Sequence, residues 1–133
     1  MATFHLQIVT PDRKAYDGEA EKLIMRTVGG DVCILAHHID YAAPLTIGEA
    51  SVTDAEGNVR KAACSGGMLA VSGSDVRVMA ATFEWADDID LSRAEKAHNA
   101  AQERLNQLSS SDKDYAVVEA KLKRALVRMR VKG

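Results

Sequence analysis

The chain has 133 residues, 47% apolar and 27% charged, with two cysteines and a formal net charge of −2. That length allows one domain or two small ones, and no apolar run approaches the roughly 18 residues of a membrane span. Met1-Ala2-Thr3-Phe4-His5 lacks the basic and apolar regions of a secretory leader, so the chain is expected to stay where it is made.

The net charge hides an asymmetry. Through Asp90 there are 14 acidic and 7 basic residues, net −7; from Leu91 onward there are 5 acidic and 10 basic, net +5. Such halves attract each other or meet different partners. Nucleic acid is not an expected partner, because the basic half offers Tyr115 alone as a stacking platform. Cys33 and Cys64 form no CxxC pair and are too few for a zinc site, so both are expected as buried free thiols in a reducing compartment.

In chain order, Phe4 to Thr10 alternates with Phe4, Leu6 and Ile8 on one face, and Pro11-Asp12 closes it. A turn at Tyr16-Asp17-Gly18 leads to a strand from Glu19 to Thr27 carrying Leu23 and Met25 inward. Gly29-Gly30 turns the chain into Asp31 to Leu35, and His37 to Pro44 reads as a loop. Ile47 to Asp54 and Asn58 to Ser65 form a hairpin around Ala55-Glu56-Gly57. Gly66-Gly67 turns again, and Met68 to Ser72 pairs with Val76 to Phe83 across Gly73-Ser74-Asp75. Short strands at this spacing predict an antiparallel β-sandwich or barrel.

The chemistry in this half is sparse. Neither Gly-Gly pair opens a helix, so turn formation explains them better than phosphate binding. Cys33, His37, His38 and Asp40 are metal-ligand types, but adjacent histidines in extended chain point to opposite sides and no second cluster completes a shell. No metal site and no catalytic residue is expected, since no nucleophile, base and orienting group can be assembled.

At Glu84 to Ala94 the periodicity changes from two to about 3.6. Asp90 is placed to cap a helix, with Ser92 and Glu95 as a rival capping box. Leu91, Ala94, Ala97, Ala101, Leu105 and Leu108 form one stripe. Ser109 to Asp112 breaks it, and Asp112 or Asp114 is expected to cap a second helix whose stripe is Tyr115, Val118, Leu122, Ala125, Leu126 and Met129. The fold class is therefore α+β in sequence order: a β-domain over 1–86, then a two-helix antiparallel hairpin over 87–133. The facing stripes hold few large apolar groups, each worth about 1.5–3 kcal/mol when buried, so the hairpin is expected to dock on the β-domain weakly enough to leave it. Lys121, Arg124, Arg128 and Lys132 follow one edge of the second stripe, with Lys123 and Arg130 on the other.

With these features placed, the sequence resembles the epsilon-subunit family of F-type rotary ATP synthases over nearly its whole length. The resemblance rests on Leu6 to Asp12, Tyr16-Asp17-Gly18, Gly30 to Leu35, His38, Ala43-Pro44-Leu45, Ser65 to Leu69, Ile89 to Ala94 and Lys123 to Leu126, taken in order. It implies a ten-stranded β-sandwich followed by an α-hairpin. It also implies a non-catalytic central-stalk subunit bound to gamma and the c-ring of a proton-translocating enzyme, on the cytoplasmic face of a bacterial plasma membrane or a thylakoid. Membrane association would come only through the complex. The ring-facing role would fall on Asp31 and the loop through His38. An inhibitory contact with the alpha and beta catalytic subunits would fall on Lys121, Arg124 and Arg128. No cofactor is required, but ATP is a candidate regulatory ligand: Ile89-Asp90-Leu91-Ser92-Arg93-Ala94 fits a family motif, with Glu84, Arg124 and Arg128 as further candidates. Two departures stand out. Ala100 replaces an expected arginine, and Cys33 to His38 replaces a Gly-Ile-Leu-Pro-Gly-His run.

Overall fold

A computed structural model describes residues 2–133. Seven strands come first: β1 (Phe4–Val9), β2 (Lys14–Thr27), β3 (Gly30–Leu35), β4 (Tyr41–Asp54), β5 (Val59–Ser72), β6 (Asp75–Ala80) and β7 (Phe83–Trp85). A 3-10 turn, Ala86–Asp88, leads to α1 (Leu91–Asn106) and α2 (Tyr115–Lys132). The strands pair in the order β1-β6-β5-β4-β2-β3, and β1 also pairs with β2, so five strands close into a barrel while β3 extends one edge and β7 lies on β5.

Closure explains why seven strands do the work of ten. β2, β4 and β5 have 14 residues each and bend from one layer of the sandwich into the other. β4 and β5 stay paired throughout, from Tyr41↔Val71 to Thr53↔Val59. β6 covers only the second half of β5, and β7 covers part of the first half. Inside lie Leu6, Ile8, Leu23, Met25, Ile34, Val52, Leu69 and Val78, all under 2% exposed. The alternation read for β1 and β2 thus selects the core face correctly.

The long strands overturn three expected breaks. Tyr16-Asp17-Gly18 is not a turn but part of β2, where these residues pair with Ile8, Gln7 and Leu6. Tyr41 to Pro44 is strand rather than loop: Pro44 lacks an N–H, yet its carbonyl accepts from Val28 (3.1 Å) and its neighbours Ala43 and Leu45 face the core. Gly66 and Gly67 do not separate two strands but lie within β5 at φ +77° and +124°. A Cβ on Gly67 would overlap the carbonyl oxygen of Met79, so this is where the bent strand needs glycine. Cys33 is a further correction. It lies exposed on the outward face of edge strand β3, and only Cys64 is buried, its thiol pushed up to about 12 by desolvation.

His5 clasps the closure of the barrel. It sits between Asp17 of β2 (Nε2 to Oδ1, 2.7 Å) and Asp75 of β6 (Nδ1 to Oδ1, 3.3 Å), and Lys14 also reaches Asp17 at 3.1 Å. The bond to Asp17 first, and that to Asp75 second, raise the His5 pKa above its ordinary 6.5. The folded state therefore holds a proton that the unfolded chain releases. Its contribution is complete below about pH 6.5 and is lost as pH rises through the folded value. Asp17 is lowered from 3.8 by the same contact with His5 and then by Lys14, so its contribution is present above that value and is lost as pH falls through the lower folded one. The urea midpoint of the β-domain is expected to fall between about pH 6 and pH 9, and His5→Gln is expected to flatten this slope.

Candidate functional site

The joint between the domains is built first. Trp85 donates its indole N–H to the Ala15 carbonyl (3.2 Å), stacks edge-on against Phe83 (4.9 Å) and lies under the Arg60 guanidinium (3.8 Å). This fixes β7, and therefore Glu84, on the outside of β5. Asp90 caps α1 as expected, accepting from the Arg93 backbone N–H at 3.1 Å.

The second helix is capped differently from expectation. Asp114 stands at the N-cap in helical conformation and makes no side-chain cap. It faces Arg104 at 3.9 Å, while Asp112 accepts from Ser109 N–H at 2.8 Å and closes the interhelical loop. Asp112 is used by the loop and Asp114 faces α1, which leaves neither for the first turn of α2.

The apolar pattern of α2 also departs from one stripe. Val118, Ala125, Val127 and Val131 are buried, while Leu126 is 38% exposed. At about 100° per residue, Val127 and Val131 lie on the side of the helix nearly opposite Val118 and Ala125. α2 is the middle layer: one face meets α1, and the other meets β4, β5 and the 3-10 turn. The seam on the second face consists of Ala63, Ile89, Val127 and Val131, with Ile47 and Ala86 half-buried beside it. Nineteen buried residues form the barrel core, so these four make a minor contact. Burying two valines and an isoleucine is worth roughly 5–8 kcal/mol as an upper bound, before the ordering of the hairpin is set against it.

The cations fill the two gaps between these faces. Lys123 and Arg130 line an open cleft of about 560 Å³ against the β-domain, which also holds the pairs Arg26–Asp31 (3.4 Å) and Lys61–Glu49 (3.4 Å). Lys121, Arg124 and Arg128 line a groove of about 590 Å³ between the helices. Beside that groove, a cavity of about 340 Å³ is lined by Glu84, Asp90, Arg93 and Arg128, with Ile89 and Ala94 between them. In it the Arg128 Nε donates to Glu84 at 2.6 Å, and this ion pair ties α2 to the β-domain.

The structure therefore brings all five candidate nucleotide residues to one place. Glu84, Asp90, Arg93 and Arg128 share the cavity, and Arg124 lies in the adjoining groove. Guanidinium groups in the cavity and the groove suit phosphate oxygens, with Arg128 already paired to Glu84. Asp31 and His38 are not brought together. They stand at opposite ends of β3, on the order of 15–20 Å apart along the strand. His38 packs edge-on against Tyr41 (5.8 Å), and Asp40 accepts from Gly73 N–H (2.9 Å), which pins the loop to the β5–β6 turn. His37, where the family run has glycine, holds φ +67°, a left-handed conformation that costs a non-glycine residue about 1–2 kcal/mol. Among the described residues, no three His, Cys, Asp or Glu side chains gather around a metal position.

Comparison with known proteins follows this architecture. A family model described as the ATP synthase delta/epsilon chain β-sandwich domain matches residues 3–86, and one for its long α-helix domain matches 87–133. The chain belongs to the ATP synthase delta/epsilon family. An ATP synthase epsilon chain of Halalkalibacterium halodurans is 37% identical over 133 residues, covering 100% of this chain and 99% of that one. An ATP synthase epsilon chain of Propionigenium modestum, named as sodium ion specific, is 37% identical over 131 residues, covering 98% and 94%. A chain in the mitochondrial ATP synthase of Euglena gracilis shares the fold, with a TM-score of 0.80 at 21% identity over 92% of this chain and 77% of that one. The relatives are named as the epsilon chain of an ATP synthase, and this chain is a non-catalytic member of that family.

Sequence reasoning missed the contribution of Val127 and Val131, although their i, i+4 spacing was visible, because the longer stripe toward α1 masks it. For Glu84→Gln, the loss of a pair that is about one-third exposed on each side removes roughly 1 kcal/mol of docking. The open population, and with it the rate of tryptic cleavage at the lysines and arginines of α2, is expected to rise about fivefold.

Proposed function

We propose that this chain is the epsilon subunit of the central stalk of a bacterial F-type ATP synthase. Its β-domain joins gamma and the c-ring, and its hairpin restrains ATP hydrolysis when it leaves the β-domain. The observation that carries this reading is the way the hairpin is held: one face of α2, a four-residue apolar seam and one ion pair. A hairpin so attached is a two-state element whose balance a few kcal/mol can shift.

Free surfaces of the β-domain support the partners. Opposite one another on β4, β5, β6 and β1 run Pro44, Met68, Met79 and Val9, of which Met68 and Met79 are 40% and 48% exposed. Methionine on an exposed sheet face suits an adaptable protein contact, and we assign this row to gamma. The loop after β3 exposes Ile39 (77%) beside His37 and His38, and we assign it to the c-ring, with Asp31 a separate contact near the start of β3. In the extended state Lys121, Arg124 and Arg128 would meet acidic loops of the alpha and beta subunits. The driving ion is taken as the proton, and one relative carries a sodium-specific name. The cavity at Asp90, Arg93 and Arg128 supports ATP as the ligand that favours the docked hairpin.

Removal of Ile89 to Gly133 tests the division of labour. The truncated chain is expected to fold, to assemble with gamma and the ring, and to raise ATP hydrolysis by the membrane-bound complex at least severalfold. Failure to assemble, or unchanged hydrolysis, would contradict it.

A further inference from the structure

On the other side of the apolar seam from the cavity at Asp90 lies the cleft of about 560 Å³ between α2 and the outer face of the β-domain. It shares no lining residue with that cavity or with the groove between the helices. The sheet is irregular beneath it. β2 and β4 lose register between Ile24↔Ser51 and Thr27↔Leu45, six residue steps on β4 against three on β2. Gly48 falls in this extra length, and a Cβ there would stand 2.6 Å from the Arg26 Cβ, so the stem of Arg26 packs flat where that side chain would be. The Arg26 guanidinium then meets Asp31 at 3.4 Å. Ile24, Ser51 and Lys61 form one cross-strand row over β2, β4 and β5, and Lys61 meets Glu49 at 3.4 Å. From α2 come Lys123 and Arg130, two turns apart on one side of the helix, about 10 Å along its axis. Lys123 lies 3.8 Å from Glu119 of its own helix, and Arg130 has no ion pair among the described residues.

Four cations on three elements thus face two carboxylates, and both carboxylates are already paired on the β-domain wall. The excess positive charge stands on α2, where it opposes Arg26 and Lys61 across the cleft and works against docking. An anion between the walls reverses that sign. We propose that this cleft binds a small anion carrying two phosphate groups, held by Arg26 and Lys61 of the β-domain and by Lys123 and Arg130 of α2. Two groups are required because a single phosphate cannot reach cations two helical turns apart, and guanidinium forks suit phosphate oxygens at each end. The bound anion bridges α2 to the β-domain and reinforces the seam of Ala63, Ile89, Val127 and Val131, so it holds the hairpin docked. The binding is independent of the cavity at Asp90, and only its effect on docking rests on the proposed mobility of the hairpin.

Calorimetry on the full chain with pyrophosphate, inorganic phosphate and citrate tests this. Pyrophosphate is expected to bind about tenfold more tightly than either of the others. Arg130→Ala and Lys61→Ala are each expected to weaken it about tenfold, and Glu49→Gln to tighten it. Lys132→Ala, which removes an exposed charge of α2 outside the cleft, and Arg93→Ala, in the cavity at Asp90, are each expected to change it less than about twofold. Lys61 and Arg130 are exposed, so their variants should keep the wild-type circular dichroism. Pyrophosphate at about ten times its dissociation constant is expected to slow tryptic cleavage of α2 about tenfold in the wild type, and only about twofold at the same concentration in Arg130→Ala. No pyrophosphate binding by the wild type, equal losses in Arg130→Ala and Lys132→Ala, or loss in Arg93→Ala overturns the site. Citrate binding as tight as pyrophosphate overturns the phosphate assignment. Binding that leaves cleavage unchanged, while Glu84→Gln accelerates it, overturns the bridge and leaves the mobile hairpin standing. Binding with cleavage unmoved by either overturns the mobile hairpin and leaves the site.

Discussion

The structure depends on a helix that must serve two neighbours. α2 is the middle layer between α1 and the β-domain, and eighteen residues divided between two buried faces cannot make either face broad. The valines at 127 and 131 are all that α2 itself adds to the apolar seam. Arg128 falls at the edge of that seam and reaches back to Glu84, so the charge asymmetry between the halves of the chain becomes one specific contact. Of the other cations of α2, Lys123 and Arg130 line the gap against the β-domain, and Lys121 and Arg124 the groove between the helices.

The β-domain is constructed on the opposite principle. Three long bent strands and the pairing of β1 with β2 leave no way to open one layer without disrupting the other. Bending requires a backbone that a side chain would obstruct, and Gly66 and Gly67 supply it inside β5. The result is a rigid body with separate outer faces: a row of apolar side chains on β4, β5, β6 and β1, and the surface of β4 and β5 that receives α2. The platform is closed on itself while the hairpin is held by a narrow seam, and the two properties reside in different parts of one chain.

Much of this was legible in the residues. The two-residue alternation of Phe4, Leu6 and Ile8 and the change of period near Asp90 locate the core face and the joint without coordinates. What sequence could not show is continuity. Tyr16-Asp17-Gly18, Pro44 and Gly66-Gly67 each have the local chemistry of a break, and in each case pairing with a distant strand overrides it. The candidate site was legible as residue types, since Glu84, Asp90, Arg93 and Arg128 converge. Its geometry was not: the exchange of Asp114 from cap to partner of Arg104 depends on how the helices cross. The ring-facing candidates Asp31 and His38 separate because the extended run of β3 from Asp31 to Leu35 lies between one and the turn that holds the other. His37 shows the reverse, a replaced glycine whose left-handed backbone persists.

The central claim is that the hairpin and the barrel are separately stable. Native-state hydrogen exchange on the isolated chain measures this directly, by comparing opening free energies of α2 amides with those of the β4–β5 ladder. The account predicts that α2 exchanges through an opening several kcal/mol below the barrel, with a smaller denaturant dependence. Equal free energies and equal denaturant slopes for both would show one cooperative unit and contradict it.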